Sequence, residues 1–121
     1  MNGLRTEKPR GGSTVLCSII KNKQIHVANL GDSQVIVTNR EKFSLLSQLH
    51  DFSNETERKS VEQKGGTWLK NRLQGELAIS RSIGDINYKD FMSSEPEISV
   101  YDIEDQDEYM ILATDGFWNV T

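Results

Sequence analysis

Three aspartates in this chain stand beside glycines at the ends of apolar segments. Asp32 follows Gly31 and the segment 24–30, Asp85 follows Gly84 after Leu77-Ala78-Ile79, and Asp115 precedes Gly116 at the end of Tyr109-Met110-Ile111-Leu112-Ala113-Thr114. A carboxylate at a strand end, next to a residue that permits a sharp turn, can approach a ligand closely. Two carboxylates about 4 Å apart repel by on the order of 4 kcal/mol at an effective dielectric near 20, and a divalent cation between them reverses the sign. Ligands that are all oxygen select Mg²⁺ or Mn²⁺ over zinc. Asp-Gly is also an ordinary turn dipeptide, and spacing alone does not bring these residues together. The chain has no Walker A loop, no G-x-S-x-G and no H-E-x-x-H.

The elements that must position these groups follow from periodicity. Residues 109–114 form a short apolar run without helical spacing or polar alternation, which predicts a strand buried on both faces. Asp115 then stands where that strand leaves the core, and Gly116 lets the backbone turn at once. Earlier, residues 13–20 are β-branched and apolar, Lys21-Asn22-Lys23 suits a hairpin connection, and residues 24–30 return. Ile25 and Val27 share one face, His26, Ala28 and Leu30 the other. A lone histidine in a strand, His26 packs in the core or at an edge. Residues 34–38 and 42–47 continue the pattern, so residues 13–48 are predicted to form a four-stranded antiparallel meander.

Residues 54–64 predict a mostly solvated helix. Asn54 and Glu57 fit a capping pair, Glu55 and Glu57 suit the N-terminal dipole, and Gly65 is a stop. Residues 66–69 suggest a short strand. Residues 70–95 carry few regular signals, and stretches of this kind are functional or disordered. Residues 97–103 alternate again. The acidic turn Asp102, Glu104, Asp105, Asp107 and Glu108 lacks EF-hand spacing and reads as a solvated hairpin tip.

The 121 residues suffice for one small domain with a core. A net charge of -4 with a sequence pI of 5.2 argues against a phosphate-backbone binder, so no nucleic-acid partner is expected. The single cysteine, Cys17, lies in an apolar run and reads as a buried, inert thiol. No apolar h-region appears between Met1 and Arg10, and no run approaches membrane-spanning length. A reducing, intracellular setting, cytoplasmic or nuclear, and no membrane partner are therefore expected. Residues 1–10 read as a flexible lead-in and 11–121 as the folded part.

Six blocks then fall in a distinctive order: Gly12-Ser13-Thr14, Ala28-Asn29-Leu30-Gly31-Asp32-Ser33, Gly65-Gly66, Leu77-Ala78-Ile79-Ser80-Arg81-Ser82-Ile83-Gly84-Asp85, Glu95-Pro96-Glu97-Ile98 and Ala113-Thr114-Asp115-Gly116-Phe117-Trp118. This series resembles the metal-dependent protein serine/threonine phosphatases, the PPM or type-2C family, over residues 11–121. The resemblance implies an α+β fold, two antiparallel β-sheets packed as a sandwich with flanking helices. It implies phosphoprotein substrates and two Mg²⁺ or Mn²⁺ ions holding the water that attacks the phosphoester. It puts Asp115 in the place of a core metal-binding aspartate and Asp32 at an auxiliary third-metal position that shares Asp115.

The departures are equally specific. The family's Asp-Gly-His-Gly stretch and its early phosphate-binding arginine are absent, and its late metal-binding aspartate would fall after Thr121. Asn119 stands where an aspartate is usual, Gln34 replaces an arginine, and Leu49 and Phe52 replace an aspartate and a proline around His50. Metal binding by this chain is therefore expected to be weak. Two readings result: a piece of an active phosphatase, itself inactive, or a degenerate phosphatase-like module that acts by binding a protein partner.

Overall fold

The computed structural model describes residues 11–119; the proposed lead-in at residues 1–10 lies outside them. The described strands are β1 (Gly12–Ser13), β2 (Val15–Lys21), β3 (Gln24–Leu30), β4 (Gln34–Thr38), β5 (Phe43–Leu45), β6 (Trp68–Leu69), β7 (Arg72–Leu73), β8 (Ile83–Gly84), β9 (Glu97–Asp102) and β10 (Tyr109–Ala113). Two helices, α1 (Glu55–Gln63) and α2 (Asp115–Trp118), complete the regular structure with a 3-10 turn at Ile86–Tyr88. Two three-stranded antiparallel sheets, in the orders β2-β3-β9 and β10-β4-β5, face one another. Ile25 and Val27 from β3 meet Val35 and Val37 from β4, all 3% exposed or less. This is the expected sandwich.

The meander expected over residues 13–48 is not formed. β2 pairs with β3 and β4 pairs with β5, but β3 and β4 belong to different sheets. The reason lies at Gly31. Its φ is +126, and a Cβ there would overlap the Thr14 side chain. The chain thus turns out of one sheet at Gly31-Asp32-Ser33 and enters the other. Both sides of that turn read as apolar strands, and a strand reads the same from its residues whether it pairs edge to edge or packs face to face.

The β2–β3 connection is tighter than the three residues expected. Lys21 pairs with Gln24, leaving Asn22 and Lys23 at φ 53 and 62. That is the two-residue turn whose twist suits a hairpin. β9 and β10 also lie in different sheets, so the acidic turn is a crossover between layers and not a hairpin tip. There Asp107 accepts from the Tyr101 hydroxyl and the Glu104 N–H, both at 2.8 Å.

β10 is a strand as expected, but it is not buried on both faces. It lies at the edge of its sheet, with Tyr109 68% and Leu112 39% exposed. Likewise Cys17 is exposed. It aligns with Ala28 and Ile98 on the outer face of its sheet, beside Ile19, His26 and Val100. Ile98 and Val100 point away from the core, while Ser99 and Tyr101 are half-buried toward it. An apolar run cannot say which of its faces another layer covers. His26 sits on this outer face and not in the core.

The helix prediction holds, with one change of role. Asn54 caps α1, its side chain accepting from the Thr56 and Glu57 N–H groups. Glu57 does not reach back to close a capping box. It is 5% exposed and points to Arg81. Val61 packs with Leu73 and Met92 in a second core, joined by Trp68, Leu77, Ile79, Tyr88 and Phe91. The irregular residues 70–95 are therefore anchored under α1. Bridges at Asp51↔Ile79 and Arg81↔Ser93 tie them further.

Candidate active-site cleft

Asp32 and Asp115 reach the same place from different layers. β3 ends at Leu30 and carries Asp32 out of one sheet; β10 ends at Ala113 and carries Asp115 out of the other. Together they line a cleft of about 380 Å³ with Asp51, Phe52, Ser53, Lys70, Asn71, Arg72, Ala78 and Asn119. The Asp32 pKa is raised from its ordinary value. Burial raises it most, then the Asp115 charge; Asp51 and a carboxyl-to-carboxyl hydrogen bond with Asp115 add to this, against a backbone hydrogen bond that lowers it. The two carboxylates thus sense each other directly.

Asp115 opens α2, where the Asn119 N–H donates to its carbonyl at 2.9 Å. Gly116 does not take a left-handed conformation and a Cβ there would meet nothing closer than 3.9 Å. The chain turns after β10 by entering a helical turn, not through the special freedom of glycine. Trp118 Nε1–H donates to the Ala113 carbonyl at 2.7 Å and its ring meets Phe117 edge-on at 4.9 Å. These contacts hold the Asp115 turn against the strand it leaves.

Asp85 does not join the cleft. It is 8% exposed, accepts from the Ser82 hydroxyl at 2.6 Å, and fills the space where Gly12 has no side chain. Its task is to join β8 to β1. Three charged cleft residues escaped the reading of the sequence: Asp51, Lys70 and Arg72. Asp51 follows His50, which was noted only for its neighbours. Lys70 and Arg72 come from the β6–β7 hairpin, whose tip residues Lys70 and Asn71 have φ 52 and 65. A Lys-Asn turn between Trp68-Leu69 and Arg72-Leu73 was the available signal. The cleft lining therefore carries three carboxylates, Asp32, Asp51 and Asp115, and two cations, Lys70 and Arg72.

Can these residues hold a divalent cation? Among the described residues, no group of three or more His, Cys, Asp or Glu side chains is arranged to do so. The Asp115 charge beside Asp32 is unfavourable for the ionised Asp32 carboxylate. The same repulsion has a stability consequence. A carboxyl group whose folded pKa is raised stabilises below its unfolded pKa and loses that contribution as pH rises through the folded value. At neutral pH Asp32 is thus a liability in metal-free protein. Asp32→Asn is expected to stabilise the metal-free chain by a few tenths to about 1 kcal/mol, discounted for solvent screening. Urea titrations at pH 7 and pH 4 measure this, and the gain should shrink at the lower pH.

The sandwich of two antiparallel sheets, with Asp32 and Asp115 carried from different layers into one cleft, is the architecture that the resemblance to the type-2C phosphatases implies. The protein phosphatase 2C family model matches residues 2–121, and the chain belongs to that family. It is 42% identical to probable protein phosphatase 2C 17 of Arabidopsis thaliana over 96% of this chain and 43% of that protein. It is 40% identical to probable protein phosphatase 2C 8 of Oryza sativa subsp. japonica, over 90% of this chain and 28% of that protein. The chain thus spans less than half the length of these relatives. Among solved structures, a C. elegans sex determining protein superposes with a TM-score of 0.88 at 35% identity, over 93% of this chain and 29% of that one. Serine-threonine phosphatase 2C from Toxoplasma gondii shares the fold at a TM-score of 0.79 and 24% identity, over 99% of this chain and 46% of that one.

Proposed function

We propose that this chain is part of a Mg²⁺- or Mn²⁺-dependent protein serine/threonine phosphatase and that by itself it does not turn over substrate. The observation that carries this reading is the meeting of Asp32 and Asp115 in one cleft, with Asp115 raising the pKa of Asp32. Asp115 and Asp32 would hold a single ion. Such an ion supplies charge to offset the phosphoryl oxygens of a phosphoserine or phosphothreonine. The residues of the chain supply the rest: Lys70 and Arg72 line the cleft and offer positive charge to a phosphoprotein, and Phe52 adds an aromatic ring to the lining. The Phe52 ring is held edge-on by Trp68 at 5.5 Å and capped by the Arg58 guanidinium at 5.1 Å.

Inactivity follows from the donor count. Mg²⁺ gives up water reluctantly, so one or two carboxylates leave it mostly hydrated and weakly held. The exposed outer faces of both sheets, with Phe43, Leu45, Ile98 and Tyr109 all above half exposed, support a chain taken from a larger domain. The degenerate module that binds a protein partner is favoured by one specific feature: Asn119 lines the cleft with a neutral amide where the family resemblance calls for a carboxylate.

Phosphate release from a phosphothreonine peptide with excess Mn²⁺ tests the proposal. No turnover above the Asp115→Ala control is expected. Robust turnover that Asp115→Ala abolishes would show the site to be complete as it stands. Joining this chain to the remainder of its parent domain should then restore hydrolysis if the parent is an enzyme, and should not if it is a binding module.

A further inference from the structure

His50 is 1% exposed, the most buried of the titratable side chains among the described residues. Its contacts converge on one residue. The Gly31 N–H donates to His50 Nδ1 at 2.9 Å, and the His50 N–H donates to the Gly31 carbonyl at 3.0 Å. The Asn29 amide adds a longer bond to the same carbonyl at 3.4 Å. A ring nitrogen that accepts an N–H carries no proton, so the proton of the neutral imidazole is on Nε2. Nε2 makes no hydrogen bond and faces Glu97 Oε1 at 3.7 Å. Burial first and the Arg81 charge second push the ring's pKa down, opposed by Glu57, Glu97 and Asp51.

We propose that His50 is a positioning residue for Asp32. Its Nδ1 lone pair fixes the Gly31 amide and so sets the direction in which the chain leaves β3 toward Asp115. Glu97 favours the tautomer that leaves this lone pair free. Because Ser80 N–H donates to the His50 carbonyl at 2.8 Å, the same residue anchors the segment that carries Asp51. A leucine would fill the space but would leave the buried Gly31 N–H without an acceptor. The arrangement matches the general behaviour of outer groups that orient ion ligands. The proposal concerns the Gly31–Asp32 geometry, and it rests on the reading of Asp32 as an ion ligand only where an ion serves as the probe.

Nitrogen NMR of the unmodified chain gives the first test. A His50 Nε2–H tautomer and a coupling across the hydrogen bond between Gly31 N and His50 Nδ1 are expected. An Nδ1–H tautomer overturns the proposal. The second test compares His50→Asn, whose side-chain oxygen can replace the acceptor, with His50→Leu, which has none. The Gly31 and Asp32 amide signals should stay near their native positions in His50→Asn and move in His50→Leu. Mg²⁺ titration followed at the Asp32 signals should weaken about tenfold or more in His50→Leu and recover in His50→Asn. A folded His50→Leu with unchanged Asp32 signals would reduce His50 to a space-filling role. If His50→Leu does not fold, His50→Asn and the tautomer decide the matter. If the unmodified chain shows no Mg²⁺ response, the ion-binding reading fails, while the amide signals still judge the role of His50.

Discussion

Arg81→Leu is expected to destabilise the chain by about 3 kcal/mol, because breaking one side of a buried ion pair typically costs ~3–5 kcal/mol. The lower end applies because Arg81 keeps 21% of its side-chain surface in water, against 6% for Glu57. Arg81 Nε and Nη2 grip both Glu57 oxygens at 2.9 and 2.7 Å, and the Ser80 hydroxyl donates to Glu57 at 2.7 Å. Burial raises the Glu57 pKa, but the hydrogen bonds from Arg81 and Ser80 and the Arg81 charge outweigh it, and the net shift is downward. A carboxylate with a depressed folded pKa stabilises above its unfolded pKa, near 4.3, and loses that contribution as pH falls through the folded value. Without Arg81 the shift reverses and Glu57 prefers its proton. The gap between native and Arg81→Leu proteins should therefore be full at pH 7, begin to narrow as pH falls through the raised pKa of Glu57 in the variant, and go on narrowing through the depressed native value below about 4.3. Urea denaturation across that range measures it. Adding Glu57→Gln to Arg81→Leu should recover part of the loss, since a neutral amide can still accept from Ser80. A gap independent of pH would mean that Arg81 acts through packing alone.

Gly31→Ala is expected to cost on the order of 3 kcal/mol, from a backbone conformation that L side chains rarely adopt and from overpacking. At φ +126, the added Cβ would overlap Thr14 Cγ2 and lie 2.6 Å from Thr14 Cβ. Relief of the steric part is possible by deleting the neighbour. Thr14→Gly in the Gly31→Ala background should restore part of the stability relative to the single substitution, leaving the backbone part. Calorimetric Tm values of the two singles and the double form the cycle. The consequence reaches the cleft, because Asp32 is the next residue and its carboxylate direction depends on how the chain leaves β3. A Gly31→Ala protein as stable as the native one would remove the reason for a glycine at this point.

How much of this was legible in the residues themselves differs from element to element. Strands at 24–30 and 97–103 follow from alternation, the strand at 34–38 from its β-branched apolar run, and α1 from Asn54, the acidic first turn and Gly65. These are local matters: periodicity and capping act within a few residues of chain. Asp32 and Asp115 could likewise be singled out, because each stands beside a glycine after an apolar segment. Their meeting in one cleft is a tertiary fact, since they lie on strands of opposite sheets. Partner choice among strands was also beyond the sequence. β3 and β4 have the same residue pattern whether they pair edge to edge or face each other across a core, and only the turn at Gly31 sends them into separate layers. Exposure of Cys17, Ile98 and Tyr109 is decided the same way. Their apolar character is intrinsic, but burial depends on what stands opposite. Asp51, Lys70 and Arg72 enter the cleft only because the segments after His50 and Leu69 are folded under α1 by Val61, Leu73 and Met92. Residue chemistry thus named the carboxylates, and packing between distant segments made them neighbours.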